Sequence, residues 1–173
     1  MTPILTQDDI LAENLLRRGV SYLSGSAPDA PVLDDVALIA GLASSANARV
    51  RHGLAAWMLA RPEAHPAALQ ASAALEPSAL AQLRFLYSAA VRLQALFADD
   101  LKPLCSAWVR LPDYFRAVLI PDALDDDPVR ALAGLAAQCA TQGSALVDWE
   151  GTWRHIATVV IRRLDKERLW AGR

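Results

Sequence analysis

Four arginine side chains have the type and spacing that could bind an oxyanion. They are Arg49 and Arg51 at the start of one apolar helical segment and Arg84 and Arg92 on another. A guanidinium group recognises phosphate or carboxylate through two parallel N–H···O bonds. If the two segments pack side by side, the four groups converge, and a phosphate or a nucleic acid is then the expected ligand.

A second polar group lies on the last long helical segment. Asp148 and Thr152 precede His155 by seven and three residues, which places the three side chains on one helix face. A histidine near a carboxylate can serve as a general acid or base. An all-helical hydrolase that uses His155 with Asp148, or uses residues 125–127, is therefore one hypothesis. A solvated polar face without a ligand is the favoured alternative.

An acidic run precedes Pro128 and could offer oxygen ligands to Mg²⁺ or Ca²⁺. It consists of Asp122, Asp125, Asp126 and Asp127. Acidic residues followed by proline are also typical of a helix N-terminus, where they cap the helix and oppose its dipole. The run lacks EF-hand spacing, so we predict a helix cap and neither a metal site nor a cofactor.

Motifs of common enzyme classes are missing. Cys105 and Cys139 have no CxxC spacing, and the three histidines include no HExxH pair. Glycine-rich phosphate loops and the GxSxG elbow are absent. Arg61 and His65 are closer together than the Arg and His pair of the HEPN ribonucleases. The sequence assigns no catalytic residue and favours a protein that is not an enzyme.

The elements that must position these groups are helices, because apolar residues recur three and four apart and no segment alternates with period two. A loop is expected over residues 24–30, and residues 114–120 are the one stretch that could instead form a strand. We predict helices over residues 7–18, 31–43, 47–60, 66–75, 78–99, 103–111, 113–119, 128–140 and 144–170.

The helix over residues 78–99 is apolar around most of its circumference, apart from a strip formed by Arg84, Ser88 and Arg92. A helix of this kind belongs in the middle of a bundle. We therefore predict an all-α, single-domain bundle of about six to eight helices over residues 1–173, with this helix at its centre.

Two segments resemble the start of a HEAT-repeat helix. They are residues 48–51, with the sequence ARVR, and residues 127–130, with the sequence DPVR. Each is followed by an apolar helical segment, and the resemblance would imply stacked helix pairs. The copies lie far apart and no period connects them, so we do not predict a repeat array.

The last predicted helix carries Trp149 and Trp153 on an apolar stripe and ends in Leu169 and Trp170. Tryptophan removes a large apolar area from water, so the stripe requires a packing partner. We predict that these four residues form a core seam or a subunit interface, and that the protein is a homodimer.

Charge and composition narrow the function classes. The formal net charge is -2, which argues against a general nucleic-acid binder, because such proteins usually carry an excess of basic residues. No apolar run reaches the roughly 20 residues of a membrane span, and the first residues lack a basic signal region. Almost all basic residues are arginine, which fits a bacterial genome. We expect a soluble cytoplasmic protein that binds another protein, in a regulatory or antitoxin-like role, with phosphate binding and hydrolysis as the alternatives.

Overall fold

The computed structural model describes residues 5–23, 27–143 and 146–171, which contain no β-strand. The all-α prediction is therefore confirmed. Three short 3₁₀ turns lie at Pro62–Ala64, Arg116–Val118 and Pro121–Leu124. The α-helices are α1 (Gln7–Arg17), α2 (Asp35–Ser44), α3 (Ala48–Ala60), α4 (His65–Ser72), α5 (Pro77–Leu96), α6 (Ala98–Leu101), α7 (Pro128–Gln142) and α8 (Trp149–Ala171).

Helix α5 occupies the centre of the bundle, as the sequence predicted. It packs against α2, α3, α4, α7 and α8, and one continuous apolar cluster extends from α1 to α8. Trp57, Tyr87 and Trp153 are the bulkiest side chains that this cluster buries completely. The single-domain organisation stays a prediction, since it extends over residues outside the described ranges.

Helix α1 shows why local sequence signals located several helix ends correctly. Thr6 accepts a hydrogen bond from the backbone N–H of Asp9, while the Asp9 carboxylate accepts from the Thr6 backbone, which completes a capping box. Glu13 and Arg17, four positions apart on one helix face, form an ion pair at 3.2 Å. Gly19 follows the helix with a φ of 78°, a conformation that glycine adopts without strain.

The start of α2 differs from the prediction, which began this helix at residue 31. The Asn14 side chain donates to the carbonyl of Pro31 and accepts from the N–H of Leu33, both at 2.8 Å. Those bonds hold residues 31–33 against α1, and the helix begins only after Asp34, which caps the N–H of Ala37. Of the predicted loop, residues 24–26 lie outside the described residues and residues 27–30 form a turn.

Residues 102–127, the connecting segment, contain neither of the two predicted α-helices nor the alternative strand. Only two of the 3₁₀ turns occur there. The Gln94 amide donates to the Val109 carbonyl and accepts from the Leu111 N–H, and the Gln138 amide binds Val118 and Ile120 in the same way. Side chains of α5 and α7 therefore provide bonds that a backbone ladder would provide elsewhere.

Helix α7 begins as the acidic run predicted. Asp127 caps the N–H of Val129 at 2.8 Å, and Pro128 occupies the first helical turn. Further along, Gly134 lies against the backbone of the connecting segment, where an added Cβ would come within 2.4 Å of the carbonyl carbon of Asp122. Glycine at this position lets α7 approach the 3₁₀ turn that closely.

No helix in the described part of the chain has both the length and the apolar character that crossing a bilayer requires.

Candidate partner-binding groove

An open groove lies where the first turns of α3 and α8 meet α5 and the end of α7. Its volume is about 370 Å³. Phe85, Trp149 and Trp153 contribute aromatic rings to its wall, while Arg51 and His52 lie on the α3 side. We call it the aromatic groove. Its size is within the range of specific binding sites, which are typically apolar with a few polar groups.

The tryptophans reach the groove because the first turn of α8 is firmly fixed. Asp148 accepts a hydrogen bond from the N–H of Gly151 at 2.8 Å, and the Thr152 hydroxyl donates to the Asp148 carbonyl at 2.7 Å. Trp149 and Trp153 then lie one turn apart on the same face. Their ring centroids are 6.0 Å apart at an interplanar angle of 42°.

The two tryptophans have different environments. Trp153 is 1% exposed and belongs to the core, and its indole Nε1 is buried with no hydrogen-bond acceptor among the described residues. Trp149 is half-buried against the same core. Of the two predicted roles, core seam and subunit interface, the core seam fits Trp153, because its ring is enclosed within the bundle.

Burial determines the protonation of the groove's titratable groups. It lowers the pKa of His52, and the neighbouring Arg51 lowers it further, so the imidazole is neutral at pH 7. Burial also raises the pKa of the Cys139 thiol to about 12, which keeps this groove residue protonated. Arg51 is then the one lining side chain that carries a charge in the described part of the groove.

A second, more polar cleft of about 440 Å³ adjoins the aromatic groove and shares Arg51 and Gln82 with it. Ser45 and Glu76 also line this polar cleft. The Arg51 guanidinium donates to the Ser45 carbonyl at 2.6 Å, which holds the side chain at the junction of the two depressions. Together they form a surface with an apolar end, a polar end and a cation between them.

The structure does not bring the four predicted arginines together. Arg49 is exposed, and Arg51 lies beside Gln82. Arg84 follows Gln82 by two positions, about 200° around α5, and therefore faces another side. Its Nε is buried without an acceptor among the described residues.

Arg92 lies within the bundle and is 6% exposed. Its guanidinium donates to the Asp113 carboxylate and to the Ala123 carbonyl. The polar strip of α5 is thus largely interior, since Ser88 is also fully buried. Arg92 connects helix α5 to the connecting segment and does not share a site with Arg51.

The other predicted site residues also have structural roles or high exposure. Asp148 and Thr152 fix the start of α8, as described above, whereas His155 is exposed. At the far end of the same helix, Leu169 and Trp170 are 62% and 61% exposed. The Lys166 ammonium lies 5.0 Å from the centroid of the Trp170 ring. Ligand binding by His155 and an interface at the end of α8 stay predictions.

Sequence reasoning identified the tryptophans of the groove but missed Phe85, Gln82 and Gln142. Gln82 and Phe85 have apolar neighbours on α5, and Gln142 is the last residue of α7, so nothing local marks these three as groove-lining residues. The packing of α5 and α7 against α8 determines that these residues line a groove.

A metal site was the remaining candidate chemistry. Within the described ranges, no three His, Cys, Asp or Glu side chains lie close enough together to hold a metal ion. Comparison with known proteins adds no assignment, because the chain matches no protein-family profile, no curated protein and no solved structure.

Proposed function

We propose that this protein is a non-catalytic interaction protein that holds an apolar side chain of a partner protein in the aromatic groove. The observation that carries the proposal is the open aromatic groove, in which Phe85 and Trp149 are the half-buried rings and the buried Trp153 lies behind them. Tryptophan and arginine are the residues most enriched among binding hot spots, and rigid rings lose little conformational entropy on binding. A regulatory or antitoxin-like role in a bacterial cytoplasm is the context that we expect.

The charges around the groove indicate the chemistry of the partner. Arg51 is the charged residue that lines the groove itself, the exposed Arg49 is two positions away, and Glu76 lies in the adjoining polar cleft. An acidic residue near the apolar anchor would gain a charge-assisted hydrogen bond here, whereas a basic one would be repelled. The partner segment is therefore expected to carry a large apolar residue with Asp or Glu a few positions away.

Selection of binders from a random peptide library on the intact protein tests this proposal. Enriched peptides should share a large apolar residue and a nearby acid. Phe85→Ala should weaken their binding by about tenfold or more, since it removes an aromatic wall of the groove. Arg51→Gln should abolish the preference for the acid while leaving the apolar preference in place.

Phe97→Ala is the matched control for Phe85→Ala. Phe97 follows the last residue of α5 and packs against the core but does not line the groove. It should leave peptide binding unchanged. Selected peptides without a common pattern, or peptides that bind Phe85→Ala as tightly as the natural protein, would contradict the proposal.

We also propose that the protein forms a homodimer through the last turns of α8. The exposure of Leu169 and Trp170 supports this proposal, because large apolar side chains that share an exposed helix end are typical of contact surfaces. The hydrolase hypothesis has weaker support, since the Asp148 carboxylate already caps α8.

A further inference from the structure

A separate cleft of about 420 Å³ lies between α5, the connecting segment and the start of α7. Arg92, Arg110 and Arg116 line it together with Asp113, Asp125 and Asp126, and we call it the arginine cleft. It does not share a lining residue with the aromatic groove. Two of its arginines, Arg110 and Arg116, were not among the sequence-predicted site residues.

Arg92 is a buried, fixed cation in the wall of this cleft. It is 6% exposed, and Asp113 and the Ala123 carbonyl occupy its Nε and Nη2. Its Nη1 is buried and has no acceptor among the described residues. Buried guanidinium donors normally have acceptors, so an unpaired one beside a cleft indicates that an acceptor can bind there.

The cleft is lined by three arginines and three aspartates, and ion pairs neutralise two of the three acids. Asp113 is paired with Arg92, and Asp125 is paired with Arg130 at 3.0 Å. Arg110 and Arg116 are exposed and make no ion pair within the described residues, which leaves them opposite one unpaired acid, Asp126.

Two further features limit the ligand. Asp113 Oδ1 is buried without a donor among the described residues, so it requires a hydrogen-bond donor and would repel a bare carboxylate. Val91, Leu111 and Leu124 provide apolar lining. A phosphate monoester combines acceptor oxygens with a protonated oxygen in its monoanionic form, since its second pKa is about 6.

We infer that the arginine cleft binds the phosphate monoester group of a small molecule that also carries an apolar group. Arg110 and Arg116 hold the phosphate at the mouth of the cleft, Arg92 supplies a donor at its floor, and the P–OH donates to Asp113. This site is independent of the proposed function, because it uses a different part of the surface.

Calorimetric titration of the intact protein at pH 6 with phenyl phosphate, inorganic phosphate and benzoate tests the inference. Phenyl phosphate should bind at least about tenfold more tightly than either of the others, since inorganic phosphate lacks the apolar group and benzoate lacks the P–OH. The double substitution Arg110→Gln with Arg116→Gln should weaken phenyl phosphate binding by about tenfold or more.

Both substituted arginines are exposed, so the double variant should fold normally, and its thermal unfolding should be measured beside the natural protein. Arg154→Gln removes an arginine that is paired with Glu150 on α8 and is the matched control. It should bind phenyl phosphate as the natural protein does. The inference is overturned if phenyl phosphate does not bind, if benzoate binds equally well, or if the double variant binds phenyl phosphate unchanged.

Peptides that bind the aromatic groove separate this inference from the proposed function. They should bind the double variant of the arginine cleft with unchanged affinity, because the two sites share no residue.

Discussion

Arg92 and Asp113 form a buried ion pair, in which Nη2 and Oδ2 are 2.9 Å apart and the side chains are 6% and 22% exposed. The two residues are 21 positions apart in the chain. Because Arg92 also binds the Ala123 carbonyl, one guanidinium holds two separate parts of the connecting segment against the central helix.

Replacement of Arg92 by methionine should lower the free energy of unfolding by about 3 to 5 kcal/mol, because it leaves the Asp113 carboxylate partly buried without its cation. Urea unfolding measures the change. The double substitution Arg92→Met with Asp113→Leu should recover part of the loss. Arg130→Met removes an exposed ion pair with Asp125 and should barely move the midpoint. Equal effects of Arg92→Met and Arg130→Met would show that the buried ion pair contributes no more to stability than the exposed one.

Trp153→Ala and His155→Ala should differ greatly in their effect on stability although the residues are two positions apart. Trp153 is fully buried, and its truncation should cost about 3 to 5 kcal/mol by leaving a large cavity. His155 is exposed, and its truncation should change stability by less than about 0.5 kcal/mol. Denaturant unfolding of both variants checks this. A loss of biological effect in a stable His155→Ala protein would instead make Asp148, Thr152 and His155 a working site.

The sequence predicted the helices best where the signal is local. Thr6 and Asp9 fix the start of α1, and Asp127 with Pro128 fixes the start of α7, through atoms at most three residues apart. The connecting segment could not be predicted in this way. Its conformation depends on Gln94, whose amide binds backbone atoms 15 and 17 residues away.

The same limit applies to the candidate sites. Arginine type and spacing suggested that Arg92 and Arg51 share a ligand, but the pairing of Arg92 with Asp113 depends on the path of an irregular segment. Trp149 and Trp153 were singled out correctly as packing residues. Whether a tryptophan borders a groove or fills the core depends on the helices packed around it, which periodicity does not specify.

His52 should make the protein less stable as the pH falls below about 6.5. Its pKa is lowered in the folded protein by burial and then by Arg51, so between the folded value and 6.5 the unfolded chain binds more protons. The stability is therefore complete above 6.5 and decreases as the pH falls through the folded pKa. His52→Gln should make the dependence of unfolding free energy on pH shallower in this range. An unchanged slope in His52→Gln would rule out this role.

Self-association should depend on the end of α8. Substitution of Leu169 and Trp170 by alanine removes two side chains that are more than 60% exposed and should convert a dimer to a monomer in sedimentation velocity. Val32→Ala removes another exposed apolar side chain, 77% exposed, and should leave the oligomer intact. A natural protein that sediments as a monomer at high concentration would refute the dimer.

Gly134→Ala should destabilise the protein although alanine favours helices, because the new Cβ would approach the backbone of Asp122 to 2.4 Å. Overpacking of this kind costs about 1 to 3 kcal/mol when the neighbour is backbone. Thermal unfolding should show the loss. Ala133→Ser, on the exposed side of the same helix, should change the transition little, and a Gly134→Ala protein of natural stability would mean that the turn can move away.

Because its backbone is bonded to the amides of Gln94 and Gln138, the connecting segment should have its own rate of hydrogen exchange. The N–H groups of Leu111 and Ile120 are bonded to these side chains and not to a neighbouring turn. Opening the segment breaks these bonds and exposes buried side chains such as Leu111 and Phe115, but it leaves the helical ladders intact, so the two protons should exchange through a sub-global opening before those in the middle of α5. Such an opening would dismantle the arginine cleft while the aromatic groove keeps its shape, so the two sites could respond separately to temperature or denaturant.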